Sequence, residues 1–414
     1  MFSVKLTNII VFLFLIQCIT ATIVINANAA EATTLVAMEL QAIERNDLKG
    51  KIQLILPKNI YAVQGIESNI YFDNICLVPN ITNYIFDVNC SKGIQQMERW
   101  TFMPSSADIG SYPMMIEVRD ETNEIIARAS TVVRVIPKEA GAGQKIKMLL
   151  IGDSLTHASI YSQHILDLCR GDSEPQITLL GSHVPDSNCP ANRHEGYGGW
   201  TAKHFITYYT GTARTGTYQG CGSPFLYEDS NAVPILNFSQ YCIDINGGKG
   251  PDFVTILLGA NDVFSATDDN IKRSIDEMLV YYDKLIKMIH DFRSDIPIAV
   301  LLPVPPAATQ DAFAFDYSCG QTRWQYKRNQ HHLVEQLIKH YDNRESENIS
   351  IVPTNVSLDC MHNYPLNKTI CNARTSEQIT RVNNALHPAA TGYQQIGDAL
   401  YCWLKHALQP ASSN

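Results

Sequence analysis

The sequence holds no CxxC, HExxH or P-loop pattern, so zinc-ribbon, thioredoxin-like, zinc-protease and nucleotide-hydrolysing chemistries find no local support. Positive charge is scarce. Against 41 Asp and Glu there are 32 Lys and Arg, a formal charge of −9, whereas a dedicated nucleic-acid binder carries a basic patch or stripe. Past the N-terminus no stretch approaches the ~20 apolar residues of a membrane helix. Long low-complexity runs are missing too, and 45% hydrophobic with 18% charged residues is an ordinary globular composition. The 414 residues leave room for one to three domains.

What is present begins with an export pattern. Lys5 precedes an apolar run opening at residues 9–16, and Ala27-Asn28-Ala29 is a small-x-small cleavage pattern before Ala30. A membrane anchor is the competing reading, because the apolar stretch continues to Ile25. Residues 1–29 are read as a cleaved signal peptide, which predicts a secreted or periplasmic chain without stable membrane insertion. Cys18 lies in that segment, so ten of the eleven cysteines remain. An even number in an exported chain predicts disulfides, with Cys76/Cys90 and Cys360/Cys371 as close pairs, although spacing does not fix connectivity. Six N-x-[ST] sites stand at Asn80, Asn89, Asn237, Asn348, Asn355 and Asn367.

Two regions follow with different patterning. From 35 to 137, short runs rich in Ile, Val, Tyr and Phe, such as "SNIYFDNICLV" and "IIARASTVVRVI", are separated by turn signals and predict a small all-β sandwich. Residues 138–145 mix Gly and charge as a linker. From 146 to 408, compact apolar runs ("IKMLLIG", "DFVTILLG", "IPIAVLLP", "ISIVP") suit strands buried on both faces. Helical stripes lie between them. Ile271, Ile275, Met278, Leu279, Tyr282, Leu285, Ile286 and Ile289 form one, and Tyr393, Ile396, Leu400, Trp403 and Leu404 another. This alternation predicts an α/β fold, a three-layer α/β/α sandwich with a parallel sheet. Residues 205–250 fit neither pattern and read as a long excursion.

In such a sheet, ligands bind beyond the carboxyl ends of the strands. After the first strand, "GDSLTHAS" places Ser154 at a helix start, near free backbone N–H groups and the positive end of the helix dipole. A plain helix cap is the bland reading. "HEGYGGWTA" offers Gly198 and Gly199, whose backbone can approach a substrate closely, or which merely turn the chain. In "LLGANDVF", Asn261 is a neutral amide donor able to bind an oxyanion, or a turn residue. "NNALHPAATGY" places His387 just before a helix.

Four blocks in this order, Gly-Asp-Ser-Leu, Gly-Gly-Trp-Thr, Gly-Ala-Asn-Asp and Leu-His-Pro, resemble the SGNH hydrolases of the GDSL esterase/lipase superfamily, over residues 146–408. The resemblance implies a flavodoxin-like fold, with Ser154 as nucleophile and His387 as its base. It further implies an oxyanion hole made of the N–H of Ser154, the N–H of Gly199 and the amide of Asn261. Acyl transfer to water through an acyl-serine would need no metal or cofactor.

One position departs from the family pattern. Three residues before the histidine most members carry Asp, and here stands Asn384. Its amide oxygen can accept the Nδ1–H and fix the tautomer, but it supplies no negative charge for the imidazolium. Three readings follow: a Ser–His dyad with Asn384 or a backbone carbonyl orienting the ring; another carboxylate (Asp153, Asp262 or Glu195) reaching His387; or a weak hydrolase kept for binding glycan. The dyad with Asn384 as the orienting group is preferred. His157 is a rival base but reads more simply as a pocket or surface residue, and His331 and His332 read as solvated helix positions. "CGQTRWQYKRNQ" either lines a pocket or begins a packing helix. Export, an appended β region and this core suggest an esterase that deacetylates extracellular polysaccharide, with a lipase or short-chain arylesterase as the alternative.

Overall fold

A computed structural model describes residues 52–185, 188–211 and 222–409; the expected signal peptide lies outside them. The N-terminal part holds β1 (Asn59–Val63), β2 (Ser68–Tyr71), β3 (Ile85–Cys90), β4 (Ile94–Gln95), β5 (Arg99–Phe102), β6 (Gly110–Arg119) and β7 (Ile125–Ile136). They form a four-stranded sheet, order β1-β7-β6-β3, and a three-stranded sheet, order β2-β5-β4. Between the sheets lies a core of Ile60, Ala62, Ile70, Phe86, Trp100, Ile116, Val118 and Val133. The run "SNIYFDNICLV" is not one strand. It turns after Tyr71 into a one-turn helix, Phe72–Ile75, whose Phe72 stacks on Phe86 with ring centroids 4.5 Å apart.

The larger part is built on a parallel sheet. Its strands are β8 (Lys145–Gly152), β9 (Gln176–Leu180), β10 (Glu195–Gly196), β13 (Phe253–Leu257), β14 (Ile298–Leu301) and β15 (Ile349–Val352). Two hairpins stand outside it, β11 (Leu226–Glu228) with β12 (Pro234–Leu236), and β16 (Leu366–Ile370) with β17 (Gln378–Val382). Both β9 and β10 pair β8, which pairs β13, then β14, then β15. The three central strands are almost wholly buried, as expected of a sheet covered on both faces. Helices Ile160–Leu168 and Ala390–Ala407 pack on each other, while Ala202–Thr207 and Arg323–Tyr341 pack on Ile271–Phe292.

Both helical stripes read from the sequence face the core. In Ile271–Phe292, Ile271, Ile275, Met278, Tyr282, Leu285, Ile286 and Ile289 are buried, with Met288 beside them. The excursion of residues 205–250 has structure of its own, the first hairpin and the helix Phe238–Asn246.

Two expectations are corrected. The nine described cysteines are free thiols, so neither Cys76/Cys90 nor Cys360/Cys371 is bridged. Cys76 and Cys360 are buried side chains, and burial pushes the Cys76 thiol up to about 12, a setting that suppresses thiolate chemistry. His331 is not solvated: it is 4% exposed, and burial drives its pKa down to about 3. Of the two readings of the segment around Arg323, the packing helix is the one seen, with Tyr326, Lys327, Asn329 and Gln330 buried in Arg323–Tyr341.

Candidate active site

The carboxyl ends of β8, β10 and β13 converge. Beyond Gly152 the chain turns sharply, and a side-chain carbon there would collide with Thr156 and with the Leu257 carbonyl. Asp153 then caps the short helix Ser154–His157, its carboxylate accepting from the Leu155 N–H at 2.9 Å. Ser154 is the first helical residue, so its own N–H has no intrahelical partner. Its Oγ lies 2.8 Å from His387 Nε2. The two residues are 233 apart in sequence, and the fold alone brings them together.

The oxyanion-hole candidates sit on neighbouring strand ends. Gly199 follows β10 with φ +76°, a left-handed conformation that favours glycine. Among the described residues, neither the Ser154 N–H nor the Gly199 N–H donates to a protein acceptor. Asn261 Nδ2 donates to the Trp200 carbonyl at 2.9 Å. That bond uses one amide hydrogen, fixes the amide plane and leaves the second hydrogen available. A small region thus offers a hydroxyl on an imidazole and three N–H donors.

Asn384 does something other than orient the imidazole. Its Oδ1 accepts from the backbone N–H groups of Leu386 (3.0 Å) and His387 (2.8 Å), shaping the loop rather than touching the ring. For Nε2 to accept the Ser154 proton, Nδ1 must carry the ring proton, and among the described residues no hydrogen-bond acceptor meets Nδ1. Among the described residues, none of the other carboxylates considered bonds the His387 ring. Asp153 is fully buried, and desolvation pushes its pKa up to about 7. Asp262 is pushed up to about 7 chiefly by burial, and its Oδ2 has no hydrogen-bond partner. Glu195 accepts from the Ser182 N–H (2.6 Å), from Ser182 Oγ (2.9 Å), from Tyr241 OH (2.8 Å) and from Tyr197 OH, which anchors the strand end that leads to Gly199.

The electrostatics of His387 involve a residue the sequence reading missed. Burial lowers its pKa below the ordinary 6.5, and the charge of Asp316 pulls it back up. Asp316 ends the helix Gln310–Asp316, in the connection after β14. The only signal available was its place beyond the carboxyl end of a central strand. His157, the rival base, holds its Nδ1 3.3 Å from the Gly196 carbonyl and its ring 4.9 Å from that of His183. It is packed beside β10.

The chain resembles a family 3 carbohydrate esterase from Clostridium thermocellum at 16% identity, covering 64% of this chain and 100% of that one with a TM-score of 0.34. A family 3 carbohydrate esterase from Talaromyces cellulolyticus aligns at 16% identity, 64% and 98% coverage and a TM-score of 0.35. A carbohydrate acetylesterase family member from Sinorhizobium meliloti aligns at 12% identity, 64% and 99% coverage and a TM-score of 0.36. A search of curated proteins gave no match. The family model for GDSL-like lipase/acylhydrolase matches residues 148–400, more than half of the sequence and the parallel sheet from Met148 of β8 onward, so the chain belongs to that family.

Proposed function

We propose that this protein is a secreted serine esterase that removes acetyl groups from an extracellular polysaccharide through an acyl-serine intermediate. The carrying observation is the 2.8 Å contact of Ser154 Oγ with His387 Nε2, beside the N–H groups of Ser154 and Gly199 and the amide of Asn261. Ser154 Oγ attacks the ester carbonyl as His387 Nε2 takes its proton. The tetrahedral oxyanion accepts from the three donors. Collapse breaks the C–O bond, and the leaving sugar hydroxyl recovers the proton from His387. Water, deprotonated by the same imidazole, then attacks the acyl-serine and releases acetate.

The substrate class rests on the export pattern and on the aromatic and hydroxyl-rich stretch around residues 207–224, whose Tyr208 is 40% exposed and packs edge-on against Trp200. The test compares the chain from Ala30 with its Ser154→Ala variant on p-nitrophenyl acetate, then on acetylated glycans and long-chain acyl esters. The expected result is hydrolysis lost on substitution, with acetate released from glycan and long chains poorly cleaved. Equal rates for the two proteins would remove Ser154 from the mechanism, and a preference for long chains would replace the polysaccharide with lipid.

A further inference from the structure

The strand-rich region is built into the larger core. β1 is buried on both faces, with Ile60 and Ala62 in the sandwich and Tyr61 and Val63 in the core around the parallel sheet. Val356, which follows β15, enters the sandwich core in return. The polar contacts between the two parts concentrate on the helix Phe72–Ile75, and they lead toward one place.

Asp73 accepts from Lys327 Nζ and, at 3.0 Å, from Arg323 Nη2. Lys327 is 3% exposed, and a buried ammonium that lost its anion would be left uncompensated. The same guanidinium donates through Nε to the Ala307 carbonyl at 3.1 Å. Because it is planar and bonded on two edges, Arg323 is a rigid brace between Asp73 and Ala307. The Ala307 N–H in turn donates to the Ala385 carbonyl at 3.0 Å, two residues before His387.

The next residue makes a second arm. Asn74 Nδ2 donates to the carbonyls of Asn355 (2.9 Å) and Leu358 (2.8 Å), and its Oδ1 accepts from Cys360 Sγ at 3.5 Å. The Cys360 carbonyl accepts from the Ala308 N–H at 2.9 Å. Both arms end on Ala307 and Ala308, the segment that carries the histidine loop.

We infer that Asp73 and Asn74 of the N-terminal region are positioning residues for the reaction, holding through Arg323 and Cys360 the loop on which His387 stands. This rests on His387 acting as the base. The β region is then a structural part of the active site and not a detachable binding module. Displacing a reacting group by an ångström can cost ~10²-fold in rate, which makes such bracing consequential.

The test uses the full chain from Ala30 with Arg323→Gln, which keeps the Asp73–Lys327 pair, and with Asp73→Asn and Asp73→Glu. Readouts are kcat and KM on p-nitrophenyl acetate and hydrogen exchange of peptides spanning 305–308 and 383–389. Folded Arg323→Gln and Asp73→Asn are expected to lose kcat by about 10- to 100-fold with KM changed less than about twofold, Asp73→Glu recovering part of the loss. Exchange should quicken in those two peptides and not in β8 or β13. Wild-type kcat and unchanged exchange in folded Arg323→Gln would overturn the inference, including when Asp73→Asn does not fold. If the wild type hydrolyses no ester, the reaction reading fails by itself. Exchange alone then decides the bracing: quickened exchange in the two peptides sustains it and unchanged exchange sinks it.

Discussion

At the scale of single residues, the chemistry turns on what surrounds His387. As the proposed base it must be neutral to accept the Ser154 proton, so kcat/KM should rise with pH through the His387 pKa. Burial places that pKa below 6.5, and the negative charge of Asp316 opposes the shift by favouring the imidazolium. Asp316→Asn is therefore expected to move the acid limb of the kcat/KM profile to lower pH. It should also lower the plateau, because the imidazolium formed in the proposed transition state loses the negative charge that favours it. A pH–rate profile checks this, and an unchanged or upward-shifted limb would remove Asp316 from the site. The four motif blocks were legible in the sequence because each is a local strand-to-helix turn, where the chain itself exposes Ser154, Gly199 and Asn261. The part played by Asn384 was open to a local reading too, since an Asn side chain that bonds backbone N–H groups two and three residues on is common turn chemistry. Asp316 was not legible. Its relation to His387 exists only after the connection beyond β14 has folded beside the histidine loop.

At the scale of elements, amphipathic stripes announced two of the long helices, Ile271–Phe292 and Ala390–Ala407, because burial of one face is what a period of 3.6 encodes. The ion pair that anchors the last of them left no such trace. Lys405 Nζ lies 2.9 Å from Glu174 Oε2, with side chains 0% and 5% exposed, and Tyr401 OH donates to the same carboxylate at 2.8 Å. The partners are 231 residues apart, and a lysine in "WLKHAL" looks like a solvated position. Removing one member strands a buried charge, so Lys405→Ala should cost about 3–5 kcal/mol in chemical denaturation. Lys405→Met combined with Glu174→Gln should lie much nearer the wild type. Equal losses for the single and double variants would show that lost packing, not uncompensated charge, sets the cost. The cysteines mislead at this scale for a different reason: an even count speaks of a compartment, whereas Cys76 and Cys402 are buried as small side chains among apolar ones.

For the whole molecule, the division into a β region and an α/β region was visible as a change in patterning, from short alternating runs to doubly buried strands. That the two share a strand was hidden, because a run such as "NIYAV" reads alike whether one face or both are covered. With β1 in both cores and the helix Phe72–Ile75 bonded toward the histidine loop, the N-terminal region and the reaction centre form one mechanical unit. The central claim remains that Ser154 is a nucleophile made reactive by His387. Labelling of the chain with a fluorophosphonate, mapped by peptide mass, tests it most directly. The account predicts one label, on the peptide that holds Ser154, lost in Ser154→Ala and slowed by several orders of magnitude in His387→Ala. A wild-type chain that takes no label, or a label on Ser154 indifferent to His387, would contradict it.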